Sequence, residues 1–501
     1  MPRPLRESGI LLHPTSLPSR FGIGDLGPAT DAFLDWADSA GLRLWQVLPL
    51  VPPGAHDSPY AGLSAFAGNP LLVSPEWLLE EGLLPASALE GAPEFPQDRV
   101  DFAAVHAFKE RVLRASFAHA KSVGASVTDA VARFTASPAH ASWLADWALF
   151  AALRRVHGDA GWTAWPPALV AREEGALAAA RKEHAEEIAF HAFAQFLFFR
   201  QWERVKRAAN ARGMSILGDL PIYVALDSAD VWSQRSFFAV DAFGRPEKVA
   251  GVPPDDFTED GQLWGHPLYR WDVLEKESFD WWIERVRANL RLADLVRIDH
   301  FRGFAAYWEI PAAALSAREG RWVTGPGLML FLAIRHALGD VPIVAEDLGE
   351  ITDDVRHLLA TLGVPGMKVL QFAFGEMNSE HLPHRHVANS VVYSATHDND
   401  ASLSWYASLP PDAQERFRDY FGVDGKDPAG VLVRAAYSSV ADRAVVPLQD
   451  VLALGSEARM NVPGRADGNW AWRAPKDAFR PEVAARLLRL AELTGRIAIA
   501  P

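Results

Sequence analysis

The sequence predicts an α/β protein, a single (β/α)8 TIM barrel with helical insertions on the C-terminal face of the barrel. Three observations carry this expectation. Amphipathic helices repeatedly end at a Gly that is followed at once by a short apolar run. Eight strand candidates arise, near residues 10, 45, 216, 296, 343, 369, 393 and 460. Several of them finish in an acid: Asp219, Asp299, Glu346 and Asp398. Gly tolerates the left-handed conformation that closes a helix, so the next strand starts without delay. Short apolar runs without strict alternation suit parallel strands buried on both faces. Eight of them alternating with helices point to a closed barrel. An open doubly wound sheet is the rival, but the Gly-rich phosphate turn expected after its first strand does not appear in the sequence.

Taken in order, the first strand candidate covers residues 8–13. A helix around Phe33-Leu34-Asp35-Trp36-Ala37 leads through Gly41 to the second, Leu42 to Leu48. Residues 71–195 are too long for one βα unit. They hold helix-like stretches at 104–120 and from about 176 to 199, with proline breaks at 93–96 and at Pro166-Pro167. They read as a largely helical insertion subdomain. Gly213 introduces the third strand, 214–219. Residues 224–275 form a second insertion, and 246–267, rich in Gly, Pro and Asp, reads as an active-site lid loop without structure of its own. The fourth candidate is 294–299. The fifth follows Gly339, the sixth follows Gly363, the seventh is 391–397 and the eighth 459–462. Residues 1–501 then make one catalytic barrel.

Composition narrows the function. Lys and Arg total 49 against 63 Asp and Glu, for a net charge of −14. An acidic surface repels phosphate backbones and argues against nucleic acid as a partner. There are no cysteines, which excludes disulfides, thiol catalysis and thiolate metal sites. The N-terminus has no apolar core of a secretory signal, and no apolar run approaches the length of a membrane helix. A cytoplasmic protein without a membrane partner is expected. The 18 Trp residues are either core or flat platforms for sugar rings, and composition does not choose between them.

The acids carry the chemistry. At the C-terminal mouth of a barrel, strand ends converge on the active site. Arg297 and Asp299 are two apart on a strand and share a face, and a guanidinium beside a carboxylate favours its charged form. Glu346 follows an apolar run, where desolvation favours the protonated form. One charged and one neutral carboxyl is the pair that retaining glycoside chemistry uses. Each acid taken alone also reads as a turn or cap residue, and Arg297–Asp299 as a structural ion pair. Asp347 points to the other face, Asp400 reads as a loop or cap residue, and His300 and His397 read equally as buried hydrogen-bonding histidines. These groups could ligate a divalent cation in principle, but no compact H-x-x-H, H-E-x-x-H or D-x-D-x-D-G spacing occurs. No metal and no cofactor is expected.

A dense set of motifs resembles the amylomaltase, or disproportionating 4-α-glucanotransferase, family of the α-amylase clan, over roughly residues 8–473. They include Gly9-Ile10-Leu11-Leu12-His13-Pro14-Thr15-Ser16-Leu17-Pro18, Trp45-Gln46-Val47-Leu48-Pro49-Leu50 and Asp57-Ser58-Pro59-Tyr60. Further on stand Gly218-Asp219-Leu220-Pro221-Ile222, Arg297-Ile298-Asp299-His300-Phe301-Arg302-Gly303, Ala345-Glu346-Asp347-Leu348-Gly349, Thr396-His397-Asp398-Asn399-Asp400 and Asn461-Val462-Pro463-Gly464.

The resemblance implies Asp299 as nucleophile, Glu346 as general acid/base and Asp398 as the third carboxylate. It implies substrate contacts at Tyr60, Asp219, Arg297, His397 and Asn461, at Ser58, and at Trp264 and Phe257 in the lid segment. It further implies α-1,4-glucans and malto-oligosaccharides as donors, and glucose or oligosaccharides as acceptors. Two segments depart from the family pattern. Ala55 and His56 stand where some relatives carry an aromatic, so a secondary glucan contact is not carried over there. Asp256 precedes Phe257 where relatives often have Tyr. An α-1,4-glucan hydrolase and a non-catalytic glucan-binding protein remain alternatives at this point.

Overall fold

Alternating short apolar runs and Gly-terminated helices produce the expected parallel ladder. In this computed structural model, which describes residues 6–123, 125–254 and 259–497, the strands in chain order are β1 (Glu7–Leu11), β2 (Leu44–Gln46), β3 (Ser215–Leu220), β4 (Lys248–Val252), β5 (Gln262–Pro267), β6 (Leu295–Ile298), β7 (Ala306–Pro311), β8 (Arg321–Thr324), β9 (Ile343–Ala345), β10 (Gly366–Val369), β11 (Ser390–Tyr393) and β12 (Arg443–Pro447).

Eight of them form one all-parallel sheet in the order β10-β11-β12-β1-β2-β3-β6-β9. Its two ends meet. The Ala345 amide at the end of β9 donates to the Pro365 carbonyl just before β10 at 2.9 Å. The Met367 amide donates to Oδ1 of Asp347 at 2.6 Å. These two bonds make the parallel sheet a nearly closed barrel, and helices cover its outside, as predicted from the sequence. Asp347 takes part in closure, on the face away from Glu346's hydrogen bonds.

The eighth strand differs from the expectation. Residues 459–462 form no strand. The Val462 amide goes to Oδ1 of Asn469 at 2.9 Å and the Asn461 amide to the His397 carbonyl at 3.2 Å, so this backbone serves loops and not the ladder. The strand is Arg443–Pro447, whose Ala444, Val445 and Val446 are fully buried between β11 and β1. Proline at the last position is tolerated there, where the chain passes directly into a helical turn at Leu448–Val451.

The four helix-closing glycines, Gly41, Gly213, Gly339 and Gly363, all have positive φ. Gly363 is left-handed at φ 66°, ψ 19°. Gly339, at φ 79° and ψ −159°, lies instead in an extended region that essentially only Gly adopts.

Between β2 and β3 the chain is mostly helical, with long helices Phe102–Val123, Leu144–Val156 and Ala185–Ala211. A buried ion pair ties the first of these to the barrel. Lys109 Nζ meets Oδ2 of Asp25 at 3.0 Å and the Val73 carbonyl at 2.8 Å, with both side chains 1% exposed or less. The Gly-, Pro- and Asp-rich stretch 246–267 is not structureless. It carries β4 and β5, which pair antiparallel and join β7 and β8 in a second sheet, β5-β4-β7-β8. Trp264 thus sits on a strand. Among the described residues no helix is long and apolar enough to cross a membrane.

Candidate active site

The register of two neighbouring strands creates the centre of the site. β3 pairs with β6 so that Asp219 lies directly opposite Arg297. Arg297 Nη1 donates to both oxygens of Asp219, at 2.8 and 2.7 Å, and Nη2 donates to Oδ1 of Asp299 at 2.8 Å. The two acids therefore share one guanidinium. A planar fork fits this, because it offers parallel donors on more than one edge. The exposures differ: Asp219 0%, Arg297 4% and Asp299 26%. Asp219 and Arg297, expected among the sugar contacts, are buried, and Asp299 is the most exposed member of the trio.

Glu346 follows β9, the next strand round the barrel. Its Oε2 accepts the His300 amide at 2.7 Å and its Oε1 the Leu348 amide at 2.9 Å. His300 has left-handed backbone at φ 50°, ψ 50°, which turns its amide toward the neighbouring strand end. Burial raises the pKa of both carboxyls. At Glu346 the negative charge of Asp299 raises it further, while Arg297 and the two amides oppose. At Asp299 Arg297 opposes the burial effect. Glu346 is consequently the group that holds a proton longest, and Asp299 the one that ionises first.

Asp398 lies in the loop after β11 and is 44% exposed. Its Oδ1 accepts from Asn461 Nδ2 at 2.6 Å and lies 3.3 Å from His397 Nε2. The His397 ring stacks on Tyr60, with centroids 5.1 Å apart and planes 14° from parallel. The Tyr60 hydroxyl donates to Oδ2 of Asp219 at 2.6 Å. Burial and the negative charge of Asp219 hold the Tyr60 hydroxyl protonated well past its ordinary range. Ser58 receives the Tyr60 amide at 3.2 Å and so caps the turn that presents the tyrosine. Trp264, half-buried on β5, stands edge-on to the His300 ring at 4.8 Å. Phe257 lies outside the described residues. Asp400 accepts the Ser456 hydroxyl at 2.6 Å and acts as a loop tie. Among the described residues no three His, Asp or Glu side chains gather as a metal-holding group.

Three further residues belong to this constellation. Trp470 is buried with φ 63°, and its ring lies 5.6 Å from that of Tyr60 and 6.0 Å from that of His397. A Trp in an otherwise polar, Gly-containing stretch was the available signal. Arg459 reaches the Asp398 backbone at 2.7 Å; it was absorbed into a supposed strand. Arg285, 3% exposed, donates to the carbonyls of Pro221, Ile222 and Tyr223, the turn immediately beyond Asp219. A buried Arg on an amphipathic helix gives no sequence signal that separates it from a solvent-facing one.

A family model described as 4-alpha-glucanotransferase matches residues 12–478. The chain belongs to the 4-alpha-glucanotransferase family. It is 51% identical to the 4-alpha-glucanotransferase of Thermus thermophilus, over 98% of this chain and 99% of that one. It is 47% identical to that of Synechocystis, over 98% of each. Among solved structures it matches the amylomaltase from Streptococcus agalactiae in complex with acarbose with a TM-score of 0.95 at 36% identity, over 98% of this chain and all of that one. The amylomaltase from Corynebacterium glutamicum, 19% identical with a TM-score of 0.77, shares the fold over 97% of this chain and 75% of that one. The protein is therefore an enzyme with 4-α-glucanotransferase activity acting on glucans, and the barrel mouth built around Asp299, Glu346 and Asp398 is its candidate active site. The hydrolase and the non-catalytic binder are not favoured.

Proposed function

We propose that this transferase works by retaining double displacement, with Asp299 as nucleophile and Glu346 as general acid and then base. Asp299 attacks the anomeric carbon while Glu346 protonates the departing glycosidic oxygen; the C1–O bond breaks as the ester bond to Asp299 forms. The leaving sugar is replaced by an acceptor, whose 4-hydroxyl loses its proton to Glu346 and attacks the anomeric carbon; the bond from that carbon to the Asp299 oxygen breaks and the carboxylate is released. Asp398 orients the sugar and stabilises the positive charge that develops at its ring. Asp219 and Arg297 act through Asp299, and Tyr60, His397 and Asn461 frame the donor side. Ser58 presents Tyr60. Trp264 and Phe257 belong to the lid segment 246–267, which limits water so that the intermediate survives until an acceptor binds. Donors are α-1,4-glucans and malto-oligosaccharides; acceptors are glucose and oligosaccharides. The scheme calls for no metal or cofactor, and an acidic, cysteine-free chain suits a cytoplasmic setting.

The observation that supports this best is the shared guanidinium together with the amide bridge. Arg297 favours ionised Asp299, while the amide next to Asp299 holds Glu346 beside it. The test is the stereochemistry of newly made linkages. With maltotriose, proton NMR of early products should show only new α-linkages, with glucose and longer oligosaccharides formed at a constant number of reducing ends. New β-linkages would overturn the double displacement, and a rising reducing-end count would show that water and not sugar is the preferred acceptor.

A further inference from the structure

Asp398 is not held by the strand ladder. β11 ends at Tyr393, and the loop beyond it is internally tied by Asn399, whose Oδ1 accepts the amide and hydroxyl of Thr396 at 2.8 Å each. The Tyr60–His397 stack and the bonds of Asp400 to Ser456 and Gln371 hold the loop on either side, and the segment 459–461 holds it at Asp398 itself. Asn461 Nδ2 donates to Oδ1 of Asp398 at 2.6 Å, and the Asn461 amide donates to the His397 carbonyl at 3.2 Å.

One side chain holds both ends of that contact. Arg459 Nε donates to the carbonyl of Asn461 at 2.8 Å, and Arg459 Nη2 donates to the carbonyl of Asp398 at 2.7 Å. These two N–H groups lie on the same edge of a rigid planar group. The guanidinium therefore sets the spacing of two backbone carbonyls whose side chains are hydrogen-bonded to each other. A Lys ammonium, a single flexible point, cannot impose that spacing.

We propose that Arg459 is a positioning residue for the transfer reaction: it clamps the Asp398–Asn461 pair and so sets where the Asp398 carboxylate meets the sugar at the reacting linkage. The inference rests on the reading of Asp398 as the third carboxylate. Without the clamp, the backbone link between the two loops that does not depend on a side chain is the 3.2 Å bond from Asn461 to His397. A misplacement on the order of 1 Å at a reacting group costs up to about 10²-fold in rate.

The test compares kcat and KM on maltotriose for Asp398→Ala, Arg459→Ala, Arg459→Lys, Asn461→Ala and the double variant Arg459→Ala/Asn461→Ala, with thermal melting of each. Arg459→Ala should lose ~10- to 10²-fold in kcat, with KM changing by less than that. Arg459→Lys should recover only part of the loss. The double variant should be no worse than about threefold below the poorer single variant, because both substitutions release the same pair. Arg459→Ala and Arg459→Lys both within about twofold of the parent kcat would overturn the clamp, as would a double loss equal to the product of the single losses. If Arg459→Ala does not fold, Arg459→Lys is judged alone by the same twofold criterion. Activity retained by Asp398→Ala would instead overturn the reading of Asp398 itself, and the clamp with it.

Discussion

The backbone amide of His300 donates a 2.7 Å hydrogen bond to Oε2 of Glu346. His300 follows Asp299 directly, so the chain that carries one carboxylate also aims the other. Their separation is set by backbone geometry on adjacent strands and not by two independent flexible side chains. Arg297 completes the unit from below, joined to Asp299 on one edge and to Asp219 on another.

Glu346→Gln removes the proton donor and keeps an acceptor for only one of the two amides, so thermal melting of the variant is measured beside its activity. The kcat on maltotriose should fall by at least ~10²-fold, in line with loss of general acid catalysis. A glycosyl fluoride donor needs no protonation to depart, so the first step should be far less impaired with it. The rate of the first-turnover burst of fluoride, compared with first-turnover release of glucose from maltotriose, checks this. Equal losses on the two donors would place the role of Glu346 elsewhere.

The pH profile of kcat/KM should be bell-shaped. Activity needs Asp299 ionised, and burial raises its pKa to about 6 with Arg297 opposing, so activity is lost as pH falls through that value. Activity also needs Glu346 protonated, and burial with the Asp299 charge raises its pKa to about 8, so activity is lost as pH rises through that value. The two limbs belong to the interacting pair. Arg297→Met removes the opposing positive charge at Asp299 and should move the acid limb to higher pH. An acid limb that stays in place or moves lower would contradict the assignment.

Breaking the buried Lys109–Asp25 pair should destabilise the fold without removing any of the three carboxylates of the site. Asp25→Ala leaves an uncompensated buried ammonium and should cost about 3–5 kcal/mol. Adding Lys109→Met should restore much of this, since an apolar side chain can occupy the emptied, dry site. Chemical unfolding of the parent, single and double variants measures both steps. A double variant less stable than Asp25→Ala would contradict the pairing as the cause.

Much of this was legible in the chain. The Gly-closed helices and apolar runs located seven of the eight barrel strands, because positive φ and two-sided burial leave local marks. Asp299, Glu346 and Asp398 were visible as acids just beyond those runs. The eighth strand was misplaced: the helix before Arg443–Pro447 is capped by Ser439 and not by a Gly, so the recurring local mark is missing there. The opposition of Asp219 and Arg297 was hidden for a different reason: it is a register between strands separated by 78 positions, and register is a tertiary fact. Arg459, Arg285 and Trp470 were missed likewise. Their partners are backbone carbonyls and rings brought near by folding, and neither leaves a pattern in the local sequence.

The central claim is that Asp299 becomes covalently attached to the sugar. Incubating the Glu346→Gln variant with an α-maltosyl fluoride should let the first displacement proceed while the second, which lacks its base, stalls. Intact-mass spectrometry should then show one added maltosyl group, and peptide mapping should place it on Asp299. An unmodified chain after fluoride has been released, or a maltosyl group on any other residue, would contradict the account.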